Sequence, residues 1–171
     1  MISTEDFWDK TWSRKYERYN HHHQTIWDYL NARDIFKGNV LDLGCGPCVM
    51  YKNKDIQLTG VDWSEEGLRQ AKINYPRGVY ICGDATKTSL PSDSFDTILA
   101  CGLLDLFDNW KPVIIEAQRL LKLGGKFYAT LLQGYSGHDW TQYPHVTGNW
   151  HLIEFTKEDD NTRDQDSGRS E

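Results

Sequence analysis

Asn39-Val-Leu-Asp-Leu43, followed at once by Gly44-Cys-Gly-Pro-Cys48, is the stretch on which the fold turns. Val40, Leu41 and Leu43 make a short apolar run, the pattern of a strand buried on both faces of a sheet. The two glycines behind it let the backbone approach a ligand where any Cβ would collide. A buried strand that opens into a glycine loop predicts a parallel α/β sheet with its ligand at the strand's carboxyl end.

The rest of the chain supplies the other strands. Leu58-Thr-Gly-Val61, Val79-Tyr-Ile-Cys82, Phe95-Asp-Thr-Ile-Leu-Ala-Cys101 and Lys126-Phe-Tyr-Ala-Thr-Leu-Leu132 read as strands two to five. Helices separate most of them. Ser64 caps one, with Glu65 and Glu66 in its first turn and Leu68 and Ala71 on one face, ending before Tyr75-Pro76. Another runs from about Lys111 to Lys122: Pro112 suits its first turn, Val113, Ile114, Ala117, Leu120 and Leu121 form its stripe, and Gly124 ends it. Two further helices are predicted upstream. Trp8, Trp12, Tyr16 and Tyr19 share one stripe over residues 7–19, and Ile26, Trp27, Leu30 and Phe36 mark Gln24–Lys37, with Gly38 as the stop. The expected architecture is a doubly wound, mainly parallel α/β sheet over residues 39–156, behind an N-terminal helical cap over residues 1–38.

Composition narrows the function classes. The 171 residues carry 25 acids against 19 Lys and Arg, a net charge of −6, which argues against a nucleic-acid partner bound by phosphate neutralisation. No stretch approaches the roughly 20 apolar residues that span a bilayer, and the acidic, aromatic start is unlike a signal peptide, so a cytoplasmic location is expected. Cys45, Cys48, Cys82 and Cys101 are too few for a disulfide framework and are expected to be reduced.

Three acids follow three consecutive strands. Asp42 immediately precedes the glycine loop; Asp62 closes the second strand 20 residues later, where a carboxylate can accept from both hydroxyls of a ribose; Asp84 stands in Gly83-Asp84-Ala85 after the third. Singly, each could be a turn or helix-cap residue. Together they point to a nucleoside-containing ligand.

Taken with the glycine loop, these motifs resemble the class I, Rossmann-like S-adenosylmethionine-dependent methyltransferases, in particular the group acting on small molecules and lipids. The resemblance spans about Asn39 to Leu132 and rests on Val40-Leu-Asp-Leu-Gly-Cys-Gly-Pro47, Gly60-Val-Asp-Trp63, Gly83-Asp-Ala85, Ser94-Phe-Asp-Thr-Ile98, and Ala117–Leu121 with Gly124-Gly125. It implies S-adenosyl-L-methionine as cofactor. By position, Gly44, Cys45 and Gly46 would line its methionyl part, Asp42 would orient this loop, and Asp62 would bind the ribose. Trp63 would lie against adenine, Asp84 and the Ala85 backbone would bind the adenine edge, and Cys101 would sit near the reactive methyl. The implied reaction is an in-line methyl transfer to a small-molecule or lipid-like acceptor, with a general base needed only if the acceptor must lose a proton.

Two neighbouring chemistries fit less well. Cys45-Gly46-Pro47-Cys48 is the tetrapeptide thioredoxins use, but that reading leaves Asp62 and Asp84 unexplained and requires a low-pKa thiolate. A dinucleotide oxidoreductase would want glycine where Val49 stands. Weak candidates for a base are Asp105 and His138, with His145 and His151 behind them, and for each a structural role is the stronger expectation. His21-His22-His23 is read as exposed and no metal is expected, since consecutive helical residues point about 100° apart. The aromatic segments Trp8–Tyr19 and Tyr135–Trp150 are expected to close over the cofactor.

The resemblance also implies a helix and two more strands after the fifth. Residues 157–171 contain no apolar side chain and hold six acids and three bases, so they are expected to be a disordered acidic tail. Glu154–Asp159 reads as the lead-in to the missing helix, and the sheet is expected to stop at an exposed fifth strand. That edge would suit a protein partner or a homodimer, and with it a catalytically inactive, partner-binding role.

Overall fold

The computed structural model describes residues 5–51, 54–134 and 137–159, and all side chains within them except those of residues 5, 6 and 14–22. In chain order the elements are α1 (Glu5–Ala32), β1 (Asn39–Leu43), a 3-10 turn at Val49–Tyr51, β2 (Gln57–Asp62), α2 (Glu65–Asn74) and β3 (Val79–Cys82). They continue with β4 (Phe95–Cys101), a 3-10 turn at Leu104–Leu106, α3 (Lys111–Leu120), β5 (Leu121–Leu132), β6 (His145–Thr147) and β7 (Trp150–Thr156). Seven strands form one sheet in the order β3-β2-β1-β4-β5-β7-β6. The first five are parallel; β7 runs antiparallel between β5 and β6.

Alternation along the strands divides the core into two layers. Leu41, Leu43, Ile98, Ala100, Phe127 and Ala129 face α3, whose Val113, Ala117 and Leu120 are fully buried against them. Val40, Leu99 and Tyr128 face Ile26 and Leu30 of α1 and Leu68 and Ala71 of α2. Helices on both faces complete the doubly wound arrangement, and no described helix is long and apolar enough to cross a membrane.

The N-terminal segment forms one helix where two were expected. No glycine or proline stands between Glu5 and Ala32, so nothing interrupts the hydrogen-bond ladder. The helix stops five residues short of Lys37, and Asp34 turns the chain at φ 50°. Two crossovers lack a full helix. Between β3 and β4, Thr88 is held instead by its backbone N–H and hydroxyl donating to Glu116 Oε1 of α3 at 2.9 and 2.7 Å.

The C-terminal end overturns the expectation of a sheet truncated after the fifth strand. His145–Thr147 and Trp150–Thr156 form a hairpin through Gly148 (φ 53°), and β7 pairs with β5 from Lys126↔Thr156 to Leu132↔Trp150. The fifth strand is therefore interior, and the edge expected to seat a partner or a second copy is already covered. What would be a helix between β5 and β6 is a loop anchored by Trp140, which is 1% exposed. Its Nε1–H donates to Asp105 Oδ1 at 2.7 Å, and its backbone N–H donates to Gln133 Oε1 at 2.9 Å. Glu154–Thr156 belongs to β7 instead of leading into a helix. Lys157, expected in the tail, pairs its backbone with Gly124 and Gly125 and its ammonium with Asp93. Residues 160–171 lie outside the described residues.

Candidate functional site

Parallel pairing brings the carboxyl ends of β1 to β4 level, and a cavity of about 420 Å³ opens there. Asp42, Gly44, Cys45, Gly46, Asp62, Trp63, Asp84, Ala85 and Cys101 all line it. The sequence separates these residues by as many as 59 positions; the sheet gathers them around one volume.

The glycine loop leaves β1 by bending onto β2. The backbone N–H groups of Gly44 and Cys45 both donate to Val61 O, at 2.8 and 3.1 Å. Gly44 (φ 70°) and Gly46 (φ 46°) occupy the left-handed region, and a Cβ would come within 2.7 Å of Leu103 at the first and 2.9 Å of Trp12 at the second. Cys48 also lies in that region, at φ 53°. Asp62 pins the loop: its Oδ2 accepts from Gly46 N and its Oδ1 from Ser64 N, both at 2.8 Å. Burial raises its pKa, and those N–H donors pull against the rise.

Asp42 lies beneath the loop, 2% exposed. Its Oδ2 accepts from the Tyr51 hydroxyl at 2.9 Å, while Oδ1 is buried with no hydrogen-bond partner among the described residues. Burial pushes its pKa up to about 7, partly countered by Tyr51 and reinforced by the nearby charge of Asp62. Asp84 Oδ1 closes its own turn by accepting from Thr86 N and Oγ1, both at 2.8 Å. Burial raises the pKa of Cys45, Cys48 and Cys101 alike, so the loop holds thiols and lacks the low-pKa thiolate that redox exchange requires.

The base candidates fall elsewhere: Asp105, His138, His145 and His151 do not line the cavity. Asp105 accepts from Trp140 Nε1 and from Leu132 N, fastening the loop after β5. His138 Nε2 lies 2.7 Å from Phe107 O, and His151 Nδ1 lies 2.9 Å from Tyr143 O.

Helix α1 closes the cavity from above. Asp9 accepts from Ser64 Oγ and Glu66 N, Gln70 Nε2 donates to Trp12 O at 3.0 Å, and Trp8 and Trp12 stack with ring centres 5.5 Å apart. Trp8 and Trp12 line the cavity as expected, whereas no described residue of the Tyr135–Trp150 segment does; the side chains of Tyr16 and Tyr19 lie outside those described. His23, read as exposed, instead faces inward beside Trp27 and Trp150. Helical spacing from Trp8 and Trp12 puts position 23 on the same stripe, a signal masked by its position in a run of histidines. Tyr51 carried no such signal, because its role depends on the course of the loop behind β1.

Residues 41–129, just over half the chain, match the methyltransferase domain family. An uncharacterized protein of Methanocaldococcus jannaschii is 37% identical over 95 residues, covering 55% of this chain and 44% of that protein. A ubiquinone biosynthesis O-methyltransferase of Idiomarina loihiensis is 29% identical over 106 residues, covering 57% and 44%. The chain thus spans less than half the length of either relative. Among solved structures, a TehB-like SAM-dependent methyltransferase from Corynebacterium glutamicum superposes with a TM-score of 0.67 at 17% identity, covering 85% of this chain and 98% of that one. The glycine loop, the three acids at the carboxyl ends of β1 to β3, the seven-stranded sheet and the family match agree, and the chain belongs to the class I, Rossmann-like methyltransferase domain family.

Proposed function

We propose that this protein transfers a methyl group from S-adenosyl-L-methionine to a small-molecule or lipid-like acceptor. The observation that carries the reading is the convergence of the nine residues expected to hold the cofactor on a single cavity. The site fits that group chemically. The Oδ1 of Asp42, without a hydrogen-bond partner among the described residues, is an acceptor an ammonium would satisfy, and Asp62 retains acceptor capacity for ribose hydroxyls beyond the two backbone N–H groups it already holds. Trp63 and Ala85 supply apolar surface for adenine beside Asp84.

The cofactor, when bound, supplies an activated methyl on a sulfonium whose departure leaves a neutral thioether. The protein's part is alignment and exclusion of water, and alignment of this kind can lower a barrier by roughly 7–11 kcal/mol. The loop held by Asp62 gives the rigid floor and α1 gives the cover. The apolar share of the wall, with Trp8, Trp27, Leu103 and Phe107, supports an acceptor with an apolar body.

Titration calorimetry with S-adenosylhomocysteine tests the reading. Saturable binding that Asp62→Ala weakens by about ten-fold or more is expected, since a desolvated charged hydrogen bond contributes about 1.5–3 kcal/mol. Absence of binding at millimolar ligand would remove the assignment.

A further inference from the structure

His23 is a titratable side chain that lines the cavity from α1. It projects from the middle of α1 into the cavity, its ring centre 5.8 Å from that of Trp27 and 5.1 Å from that of Trp150. The aromatic contacts orient it, and the atom it presents to β4 is Nε2: a Cβ on Gly102 would lie 3.4 Å from it. Gly102 follows Cys101 at the carboxyl end of β4 and lines the same cavity. The family resemblance implies that Cys101, at that strand end, sits near the reactive methyl.

Among the other titratable groups of the described wall, Asp108 is exposed to solvent, and the rest are poorly suited to the task. Asp62 and Asp84 each hold backbone N–H groups, Asp42 lies under the loop bonded to Tyr51, and burial keeps Cys45, Cys48 and Cys101 as thiols. The wall also constrains the acceptor's charge. Asp42, Asp62, Asp84 and Asp108 line the cavity, and among the described lining residues there is no Lys or Arg. An acceptor bearing its own phosphate or carboxylate would meet the acidic side chains of Asp62, Asp84 and Asp108. A hydroxyl is the acceptor for which a neighbouring imidazole matters most, because it must shed a proton to become a competent nucleophile.

We propose that His23 is the general base of this site and that the acceptor is an uncharged apolar or aromatic molecule presenting a weakly acidic hydroxyl, a phenol being the simplest case. His23 Nε2 takes the hydroxyl proton as the oxygen attacks the methyl. The new O–C bond forms while the C–S bond of the cofactor breaks, its electron pair stays on sulfur, and the imidazolium later releases its proton to solvent. The inference rests on the methyltransferase reading and adds to it the base and the acceptor class.

Two phenols of different acidity separate a base from a structural ring. With 4-methoxyphenol, un-ionised at neutral pH, His23→Ala and His23→Asn are expected to lose about 100-fold or more in kcat while retaining wild-type affinity for S-adenosylhomocysteine. With 4-nitrophenol at mildly alkaline pH, where it is largely ionised, the loss should shrink to less than about ten-fold. Added imidazole should restore part of the His23→Ala rate on 4-methoxyphenol. Without turnover, wild type loaded with S-adenosylhomocysteine should increase the phenolate absorbance of 4-nitrophenol at mildly acidic pH, and His23→Ala should not. Equal losses with both phenols and no imidazole rescue would overturn the base. A wild type that binds S-adenosylhomocysteine but methylates neither phenol would overturn the acceptor class, and a wild type that does not bind it would bring down the underlying reading as well.

Discussion

Replacing Asp62 measures how much of its role is architectural, independent of any ligand. Its two carboxylate oxygens accept from Gly46 N and Ser64 N at 2.8 Å, so Asp62→Ala leaves two backbone donors without their acceptors. Each buried donor so stranded costs about 1–3 kcal/mol, which puts the ligand-free loss at roughly 2–5 kcal/mol after relief of the buried charge. Asp62→Asn keeps one acceptor oxygen and turns an amide N–H toward the other donor, so about 1–2 kcal/mol is expected. For a chain of this length those values correspond to a lower Tm by roughly 4–20 °C and 2–8 °C. Thermal unfolding followed by circular dichroism, in the absence of nucleoside, reads the effect directly. If Asp62 served only a ribose, both variants would melt with wild type, and that outcome would refute loop pinning. The graded order, Ala below Asn below wild type, is the signature of two separate hydrogen bonds.

Asp42 makes stability depend on pH in an unusual direction. Its carboxyl rises from 3.8 to about 7 on folding, so between those values the native state keeps a proton the unfolded chain has released, and stability falls as pH rises, by about 4 kcal/mol at most. Asp42→Asn should remove this slope, and parallel denaturation curves for variant and wild type from pH 4 to 8 would contradict it. Trp140→Phe takes the Nε1 donor from buried Asp105 and should cost about 1–3 kcal/mol in urea unfolding; an unchanged midpoint would mean that the Trp140–Asp105 bond does not hold the loop. Gly46→Ala combines left-handed strain of about 1–2 kcal/mol with a Cβ 2.9 Å from Trp12. In a Trp12→Ala background the contact part should vanish, and equal losses in both backgrounds would rule the contact out.

The sheet's parallel half was legible because its signals are local. Each of the first four strands is a short, largely apolar run, as is the Lys126–Leu132 part of β5, and the N-cap Ser64 and Pro112 mark the helices α2 and α3 where they stand. The three acids were legible for a related reason: in a parallel sheet the carboxyl ends of all strands lie on the same side, so strand positions alone bring Asp42, Asp62 and Asp84 together. The hairpin was harder to see. Gly148-Asn149 between His145–Thr147 and Trp150–Thr156 is a two-residue turn signal, but β6 has only three residues and its polar flanks resemble a loop.

Sequence by itself determined the strand ends that form the cavity and the acids at its floor, since these follow from periodicity and spacing within a few residues, and its motifs carried the resemblance to the family. Only the tertiary structure decided what the isolated side chains do. Asp105 became a fastening for Trp140, 35 residues away, and Asp62 became a pin for Gly46. His23 became a cavity wall because Asp9, anchored to Ser64 at a separation of 55 residues, lays α1 across the site. Contacts of that range depend on how elements pack after they form, and no local pattern encodes them.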